Sequence, residues 1–412
     1  MALSNRHEKP KIFTLIYNLS GGAINAQFII TVIAALGAIA TGTILGWSSS
    51  AQTMFESDES LLPFTVTAKD TQTFSSVFGI GAALGALPAG YVSRTFGRPA
   101  SIMLFEGFLL VGWIMLVLPT YVWVLSSGRM MQGIGAGALC AVIPSYVGEI
   151  AEPRMRGRLG TIFQLFIVIG ILYSYTSGAF MNYMPFCIAC AFWVILHFIG
   201  VLYIPESPYH LMNINDPDRA AASLQILRDS SDTTEELASI KTFVEKQQSQ
   251  SFTVLEVLSD KVNRKALLIS IGCMFFQQMS GINVVIFYMT DIFKSTGSNI
   301  SPNTCTIIVG IVQVKPIGTS LTTCTNWTLV FVVTYVSTEL TRWLGQAGCF
   351  LTFSAFCLMG AAFAASIVPE TKNKTLAEIQ LKLVGKSKII PVAVNVVEVV
   401  GDEAPQMTTT FS

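Results

Sequence analysis

Three side-chain amides stand close together in an apolar part of the chain. Gln277, Gln278 and Asn283 belong to the run FFQQMSGINVVIFY, which has no charged residue between Lys265 and Asp291. An amide both donates and accepts hydrogen bonds, and its burial in hydrocarbon without partners costs several kcal/mol. This chemistry suits a neutral polyol, because each hydroxyl group also donates and accepts, and no ion has to be desolvated. The alternative is that the amides bond a neighbouring helix.

The spacing of these amides sets a condition on the helix that carries them. On a regular helix Gln278 and Asn283 point about 140° apart. They can bind one ligand only if the helix is interrupted between them. Ser280-Gly281 is a suitable place, because glycine lowers the cost of irregular backbone. Interrupted helices near the middle of the bilayer form the binding sites of secondary transporters, so the run predicts a polar cleft within a membrane.

The composition indicates an integral membrane protein. Of the 412 residues, 52% are hydrophobic and 12% are charged, whereas a globular domain has about 25% charged residues. The net charge of zero gives no indication of a nucleic acid partner. Cys187 and Cys190 form a C-x-x-C without a nearby His or second Cys pair, so we expect no metal, redox centre or cofactor. Without a nucleophile motif or phosphate loop, we expect no enzyme.

Hydrophobic runs and charges predict the order of the domains. Six apolar spans, each near the length of about 20 residues that a bilayer needs, are expected at 26–47, 73–92, 101–119, 121–147, 158–180 and 184–204. Lys and Arg cluster in the links after the second and fourth spans, so both ends of this half should face the cytosol. The predicted units are a cytosolic tail (1–25), a six-helix bundle (26–204), a cytosolic helical linker (205–265), a second bundle (266–368) and a cytosolic tail (369–412).

The linker carries one clear helix signal. Asp216-Pro217 predicts a helix start, with an apolar stripe that ends at Arg228. Further short helices are expected around 235–247 and 254–258. A simple flexible linker is the alternative.

The second bundle is shorter than the first. A span is expected at 266–292, followed by an outside loop with a glycosylation sequon at Asn299. The next apolar stretch is too short to cross a bilayer and is interrupted by Lys315-Pro316-Ile317-Gly318. Spans resume at 323–340 and 346–368. Residues 304–322 either cross the membrane or form a re-entrant segment. The second half is shorter than the first by a length of chain that would form about two to three membrane-spanning helices.

Six motifs together resemble the sugar porters of the major facilitator superfamily, and most closely the insect facilitated trehalose transporters. They are GYVSRTFGRP (90–99), GRMMQGIGAGALCAVIPSYVGEIAEPRMRG (128–157), PESPYHL (205–211), QQMSGIN (277–283), CTNWTLVFVVTY (324–335) and PETKNKTLAEIQ (369–380). The resemblance implies an all-α polytopic membrane protein with two six-helix bundles around a central cavity. Here the N-terminal bundle is complete, and the C-terminal bundle is truncated, without part of the eighth helix and without the ninth and tenth.

The resemblance also implies roles for particular residues. Sugar contacts are expected from Gln164, Gln277, Gln278, Asn283, Asn326 and Trp327, with lipid or helix packing as the alternative for Trp327. Tyr288 is expected in the outer gate. A cytosolic network of ion pairs between helix ends is expected from Arg98, Arg129, Glu149, Arg154, Arg156 and Glu206, with a solvated surface cluster as the alternative. The family's acidic residue in the first cytosolic loop is replaced by Arg94, which reverses the charge at that point of the expected network.

The expected function is facilitative transport of trehalose or a hexose across the plasma membrane by alternating access, with both termini cytosolic. The resemblance also bears on coupling: proton-coupled members of the family carry an Asp in the first span, and the span here has no carboxylate, which favours uniport. The expected partners are a small sugar and the lipid bilayer. The alternative is a non-transporting shortened chain that binds sugar weakly or associates with a full-length carrier.

Overall fold

The computed structural model describes residues 26–55, 62–152, 154–230, 232–249, 261–295 and 320–367, and the regular structure within these ranges is helical. The helices are α1 (Ala26–Phe55), α2 (Ala68–Phe96), α3 (Arg98–Val117), α4 (Val122–Ile150), α5 (Arg156–Phe180), α6 (Tyr183–Val201), α7 (Pro208–Asn213), α8 (Pro217–Arg228), α9 (Thr234–Ser249), α10 (Lys261–Met279), α11 (Ile282–Ser295) and α12 (Ser320–Ile367). The predicted tails 1–25 and 369–412, the helix at 254–258 and Asn299 lie outside the described residues.

Helices α1–α6 form the complete six-helix bundle that the hydrophobic runs predict. Eight helical stretches in the described ranges are long and apolar enough to cross a membrane, and six of them are α1–α6. Successive helices alternate in direction, because short links join most of them. We call the face where α1 ends and α2 begins the distal face. The face where α2 ends and α3 begins is the proximal face.

Glycines let the helices of this bundle approach closely. Gly85 of α2 lies against the carbonyl oxygen of Ile134 in α4, and Gly137 of α4 lies against the carbonyl oxygen of Ala82 in α2. A Cβ atom at either glycine would overlap the facing oxygen. Hydrocarbon tails give helices no hydrophobic reason to associate, so close backbone packing at small residues takes over that role.

Three short helices, α7–α9, cover the proximal face of the bundle. Helix α8 begins as the Asp216-Pro217 pair predicts: the Asp216 side chain accepts from the Arg219 amide, and Pro217 occupies the first turn. At the end of α8, the Arg228 guanidinium donates to the Ile150 carbonyl at 2.9 Å and to the Glu236 carboxylate at 2.6 and 2.8 Å. Arg228 therefore ties α8 and α9 to the last residue of α4.

The second half contributes α10, α11 and α12. Helix α12 is interrupted at Gly345 (φ 69°), which separates 320–344 from 346–367. The first of these pieces runs antiparallel to α2, because Phe331 lies beside Gly79 while the Tyr335 carbonyl accepts from Gln72, nearer the distal end of α2. Ser320 therefore lies toward the proximal face, whereas α11 runs toward the distal face.

Candidate functional site

The helix break that the amide spacing requires is present between α10 and α11. Gly281 has a φ of 76°, in the left-handed region that only glycine adopts readily. It is also buried against the Phe353 ring of α12, so a side chain at this position would meet that ring. Both the backbone conformation and the contact demand glycine. The predicted interruption at Ser280-Gly281 is therefore confirmed.

The break brings two of the predicted amides together. The Asn283 amide nitrogen donates to the Gln278 amide oxygen. Gln278 is only 2% exposed and Asn283 is half-buried, whereas Gln277 is exposed. The bond uses one of the two N–H groups of Asn283, so hydrogen-bonding capacity remains for a ligand. The two amides thus form one polar unit at the helix break.

The other predicted sugar contacts are spread over two helices. Gln164 lies half-buried on α5. Asn326 and Trp327 lie on α12, and their side chains are outside the described residues. Their roles remain predictions.

Tyr288 marks a second irregularity, this time inside α11. Its backbone (φ −119°, ψ 21°) departs from helical values. On either side of it, α11 is bonded to the first bundle. The Tyr175 hydroxyl of α5 donates to the Ile286 carbonyl at 2.8 Å, and the Ser49 hydroxyl of α1 accepts from the Thr290 amide at 3.1 Å.

Further contacts join the two bundles in the same half of the molecule. The Ser49 and Thr290 hydroxyls are 2.8 Å apart, the Phe78 ring meets the Phe287 ring edge-on, and Gln72 donates to the Tyr335 carbonyl. All of these residues lie in the half of the bundle next to the distal face. The bundles are therefore closed against each other on that side.

At the proximal face, three residues of the predicted charge network come together. The Arg98 guanidinium pairs with the Glu149 carboxylate at 2.7 Å. The Glu206 carboxylate accepts from the backbone amides of Arg98 and Ser207 at 2.9 Å each. Burial raises the pKa of Glu206 to about 7, against the opposing effect of those two amides and of the Arg98 charge. Glu206 thus caps the start of α3.

Arg129 is not part of this network, which corrects the prediction. It lies only seven residues into α4 from the distal end, about 10 Å deep, and is fully buried. Its guanidinium donates to the Ile44 carbonyl, the Ser48 hydroxyl and the Gln132 amide oxygen at 2.9–3.0 Å. The rings of Trp47 and Phe78 lie 5.1 and 4.6 Å from it. Arg129 belongs to the same motif as Glu149, but it lies near the opposite end of α4.

Arg154 and Arg156 also differ from the prediction. Arg154 is exposed in the link between α4 and α5, and Arg156 is exposed at the first residue of α5; neither forms an ion pair with the residues that the structure describes. For these two arginines, the solvated surface cluster is the better description. In the sequence, clustered arginines are compatible with either an ion-pair network or a solvated cluster.

Sequence reasoning missed a buried pair inside the first bundle. Glu106 of α3 and His197 of α6 are both fully buried, and the Glu106 carboxylate bonds His197 Nδ1. The imidazole packs on Gly37 of α1, where a side chain would overlap it. The available signal was an ionisable residue within each of two apolar spans, because such residues in membranes usually face a partner.

The comparisons with known proteins match this arrangement. The family described as "Sugar (and other) transporter" matches residues 30–315 and 312–383. The chain belongs to this sugar transporter family. It is therefore a multi-pass membrane transporter rather than an enzyme.

Two insect relatives and one bacterial structure illustrate the similarity. The chain is 26% identical to the facilitated trehalose transporter Tret1 of Polypedilum vanderplanki, covering 88% of this chain and 89% of that one. It is 27% identical to Tret1 of Anopheles gambiae, covering 89% and 57%. The xylose transporter XylE from E. coli, in a partially occluded inward-open conformation, has a TM-score of 0.66 at 16% identity, covering 84% and 100%. The fold is that of the major facilitator superfamily.

The comparisons also bear on the short second half. The family match comes in two pieces that meet at 312–315, where the sequence pattern breaks. The alignment to the Polypedilum vanderplanki protein extends over 449 positions, more than the 412 residues of this chain. The relative therefore contains residues that have no counterpart here.

Proposed function

We propose that the chain is a facilitative carrier for a sugar, trehalose or a hexose, which works by alternating access. The observation that carries the proposal is the Gln278–Asn283 amide pair at the break between α10 and α11. Neutral amides match sugar hydroxyl groups, and the helix break brings the two amides together. The names of the relatives support trehalose as the first substrate to test.

The closed distal face supports the alternating-access part of the proposal. The bonds from Ser49 and Tyr175 to α11 hold the bundles together on that side. The proximal face is the basic one, carrying Arg94, Arg154 and Arg156, and we assign it to the cytosol of a plasma-membrane carrier. In this assignment the described state is closed to the outside. Tyr288 lies at the kink of the closed segment, as an outer gate residue would.

Uptake of labelled trehalose and glucose into oocytes tests the proposal. We expect uptake above that of water-injected oocytes, and we expect Gln278→Ala to abolish it because the amide pair is lost. Ser354→Ala is the matched control, since that hydroxyl is exposed and bonds only within its own helix. Surface expression must be equal for all three chains. An unchanged rate in Gln278→Ala would remove the site assignment.

The second candidate is a shortened chain that does not transport and instead associates with a full-length carrier. The observation that favours it is the stretch of the relative that this chain lacks. Background uptake with confirmed surface expression would decide for this candidate. Co-purification of a tagged full-length relative would then test the association.

A further inference from the structure

Three buried hydroxyl groups of α2 and α12 do not bond the carbonyls of their own helices. Ser75, Ser76 and Thr334 are each at most 2% exposed. Their oxygen atoms have no hydrogen-bond partner among the residues that the structure describes. A Ser or Thr hydroxyl in a helix can donate to the carbonyl four residues earlier, as Thr73 of α2 does to Lys69 at 2.8 Å. The three hydroxyls therefore forgo a bond that is available to them.

Two contacts between α2 and α12 enclose these hydroxyls. The Phe331 backbone lies beside Gly79, and the Gln72 amide donates to the Tyr335 carbonyl at 2.9 Å. The two serines lie between Gln72 and Gly79 on α2. The threonine lies between Phe331 and Tyr335 on α12. Ser76 shares a helix face with Gln72 and Gly79, because residues spaced by three or four are neighbours. Hydroxyls from both bundles thus lie at one level of the interface.

The closed interface leaves these hydroxyls in an unfavourable state. A buried hydroxyl without a hydrogen bond is destabilising, and an alanine or valine at the same position avoids that loss. Polar groups inside a membrane protein that are kept in spite of such a cost usually serve its function. A ligand with hydroxyl groups can provide the missing bonds when the distal face opens.

The three hydroxyls lie on the distal side of the Gln278–Asn283 amide pair. The contact of the Phe78 and Phe287 rings sets the level of α2 against α11. From this contact, Asn283 lies about one helical turn toward the proximal face, and Ser75 lies about one turn toward the distal face. At 1.5 Å per residue, the amide pair and the hydroxyls are about 10 Å apart along the helix axes. A chain of two linked sugar rings can extend from one to the other.

We propose that Ser75, Ser76 and Thr334 form an outer subsite that binds the second ring of a disaccharide, while the Gln278–Asn283 pair binds the first. Each hydroxyl of the subsite can donate and accept, as the hydroxyls of a sugar do. The subsite is accessible when the distal face is open, and it is buried when α2 and α12 meet. It makes the chain select a disaccharide over a hexose. This inference rests on the proposed function.

Equilibrium binding to the purified chain in detergent tests the subsite, with labelled trehalose and labelled glucose as probes. We expect trehalose to bind more tightly than glucose. Ser76→Ala and Thr334→Val should each weaken trehalose binding by about fivefold, the effect of one hydrogen bond, and leave glucose binding unchanged. The double variant should bring the affinity for trehalose close to that for glucose. Equal weakening for both sugars, or no change for either, would overturn the proposal.

Two buried hydroxyls that bond within their own helices are matched controls. Thr71 of α2 donates to the Thr67 carbonyl, and Ser337 of α12 donates to the Thr334 carbonyl. Thr71→Val and Ser337→Ala should leave the trehalose-to-glucose ratio unchanged. A control that lowers this ratio as much as Thr334→Val does would contradict the subsite.

The melting temperature of the sugar-free chain gives a second readout. Ser76→Ala and Thr334→Val remove an unpaired hydroxyl, so neither should lower the melting temperature. A weaker binding of trehalose then reflects the lost contact rather than a damaged fold. A fall in melting temperature in both variants would show that these hydroxyls stabilise the fold, against the proposal.

Binding and uptake fail separately. If uptake is at background while Thr334→Val still weakens the binding of trehalose alone, the carrier proposal is lost and the subsite stands. If uptake is present and depends on Gln278 while the Ser76 and Thr334 variants bind both sugars as the parent chain does, the subsite is lost and the carrier stands. A parent chain that binds neither sugar would also overturn the subsite.

Discussion

The two bundles differ in how their helices are covered. In the most apolar 18-residue stretch of α1, 78% of the residues are buried within the protein. In the corresponding stretch of the Glu339–Ser366 span, 11% are buried. The first bundle pairs its helices through glycine contacts and holds Glu106, His197 and Arg129 in its interior. The second bundle carries the Gln278–Asn283 pair and Thr290 near its helix breaks, next to Gly281 and Tyr288.

This difference separates two tasks. Side chains locked in the first bundle stabilise it, because their removal would leave buried groups unpaired. The Gln278–Asn283 amides at the break between α10 and α11 are instead the proposed sugar contacts. We therefore expect substitutions in the first bundle to act on stability and substitutions of these amides to act on transport.

The largest effect should come from breaking the buried Glu106–His197 pair. His197→Leu leaves the Glu106 carboxyl group buried without its partner, which should lower stability by about 3–5 kcal/mol. The double variant Glu106→Leu/His197→Leu removes both polar groups and should recover most of the loss. Heating followed by size exclusion measures the apparent melting temperature. A double variant less stable than His197→Leu would show that the unpaired Glu106 carboxyl group is not the cause of the loss.

A smaller effect is expected from one leucine in each bundle. Leu109 of α3 is fully buried, and Leu358 of α12 is 74% exposed. Leu109→Ala should lower stability by about 2–5 kcal/mol, because the lost contacts leave a void. Leu358→Ala should stay within about 0.5 kcal/mol, as surface substitutions do. Equal losses in the same melting assay would mean that the exposed face of α12 is covered by another chain.

The smallest effect concerns the proximal face and its pH dependence. The pKa of Glu206 is raised to about 7 by burial, so its protonation stabilises the fold at low pH, and this contribution is lost as the pH rises through 7. The pKa of His210 is lowered to about 4, mainly by burial and further by Arg98 and Arg219, so its contribution is lost as the pH falls through 4. Between pH 4.5 and 6.5 the contributions of Glu206 and His210 to stability change in opposite directions.

Removing one of these groups should reveal the pH dependence of stability that the other group contributes. Glu206→Gln should make the melting temperature fall steadily on acidification from pH 6.5 to 4. His210→Asn should instead make it fall as the pH rises from 4.5 to 7. Identical pH profiles for the native chain and both variants would contradict the assignment of these two groups.

The sequence predicted the helices and the break in α10–α11 well, because both depend on local features. Apolar runs of bilayer length predict the spans, and Gly281 between two amides predicts the interruption. The partner of the Asn283 amide was harder to predict: the geometry of the break decides that it is Gln278. The kink at Tyr288 had no local signal, since no glycine or proline lies between Ile282 and Ser295.

Arg129 shows why the charge network was only partly predictable. Arg98 and Glu149 lie at helix ends and Glu206 lies in the link before α7, where sequence position gives the side of the membrane. Arg129 lies inside a helix, and its place depends on which carbonyl, hydroxyl and rings surround it. Those come from α1 and α2, distant in sequence. Its distance from Val122, the first residue of α4, is the one local feature that separates it from the residues of the proximal face.

The close fit of α2 and α4 at Gly85 and Gly137 has a consequence for biosynthesis. Residues 26–201 leave the ribosome before any part of α10–α12, and they contain all the partners that these glycines need. The first bundle can therefore assemble in the translocon without waiting for the rest of the chain. Changes after residue 261 therefore affect a chain whose first bundle is already folded. A chain with a shortened later half can still be inserted into the membrane.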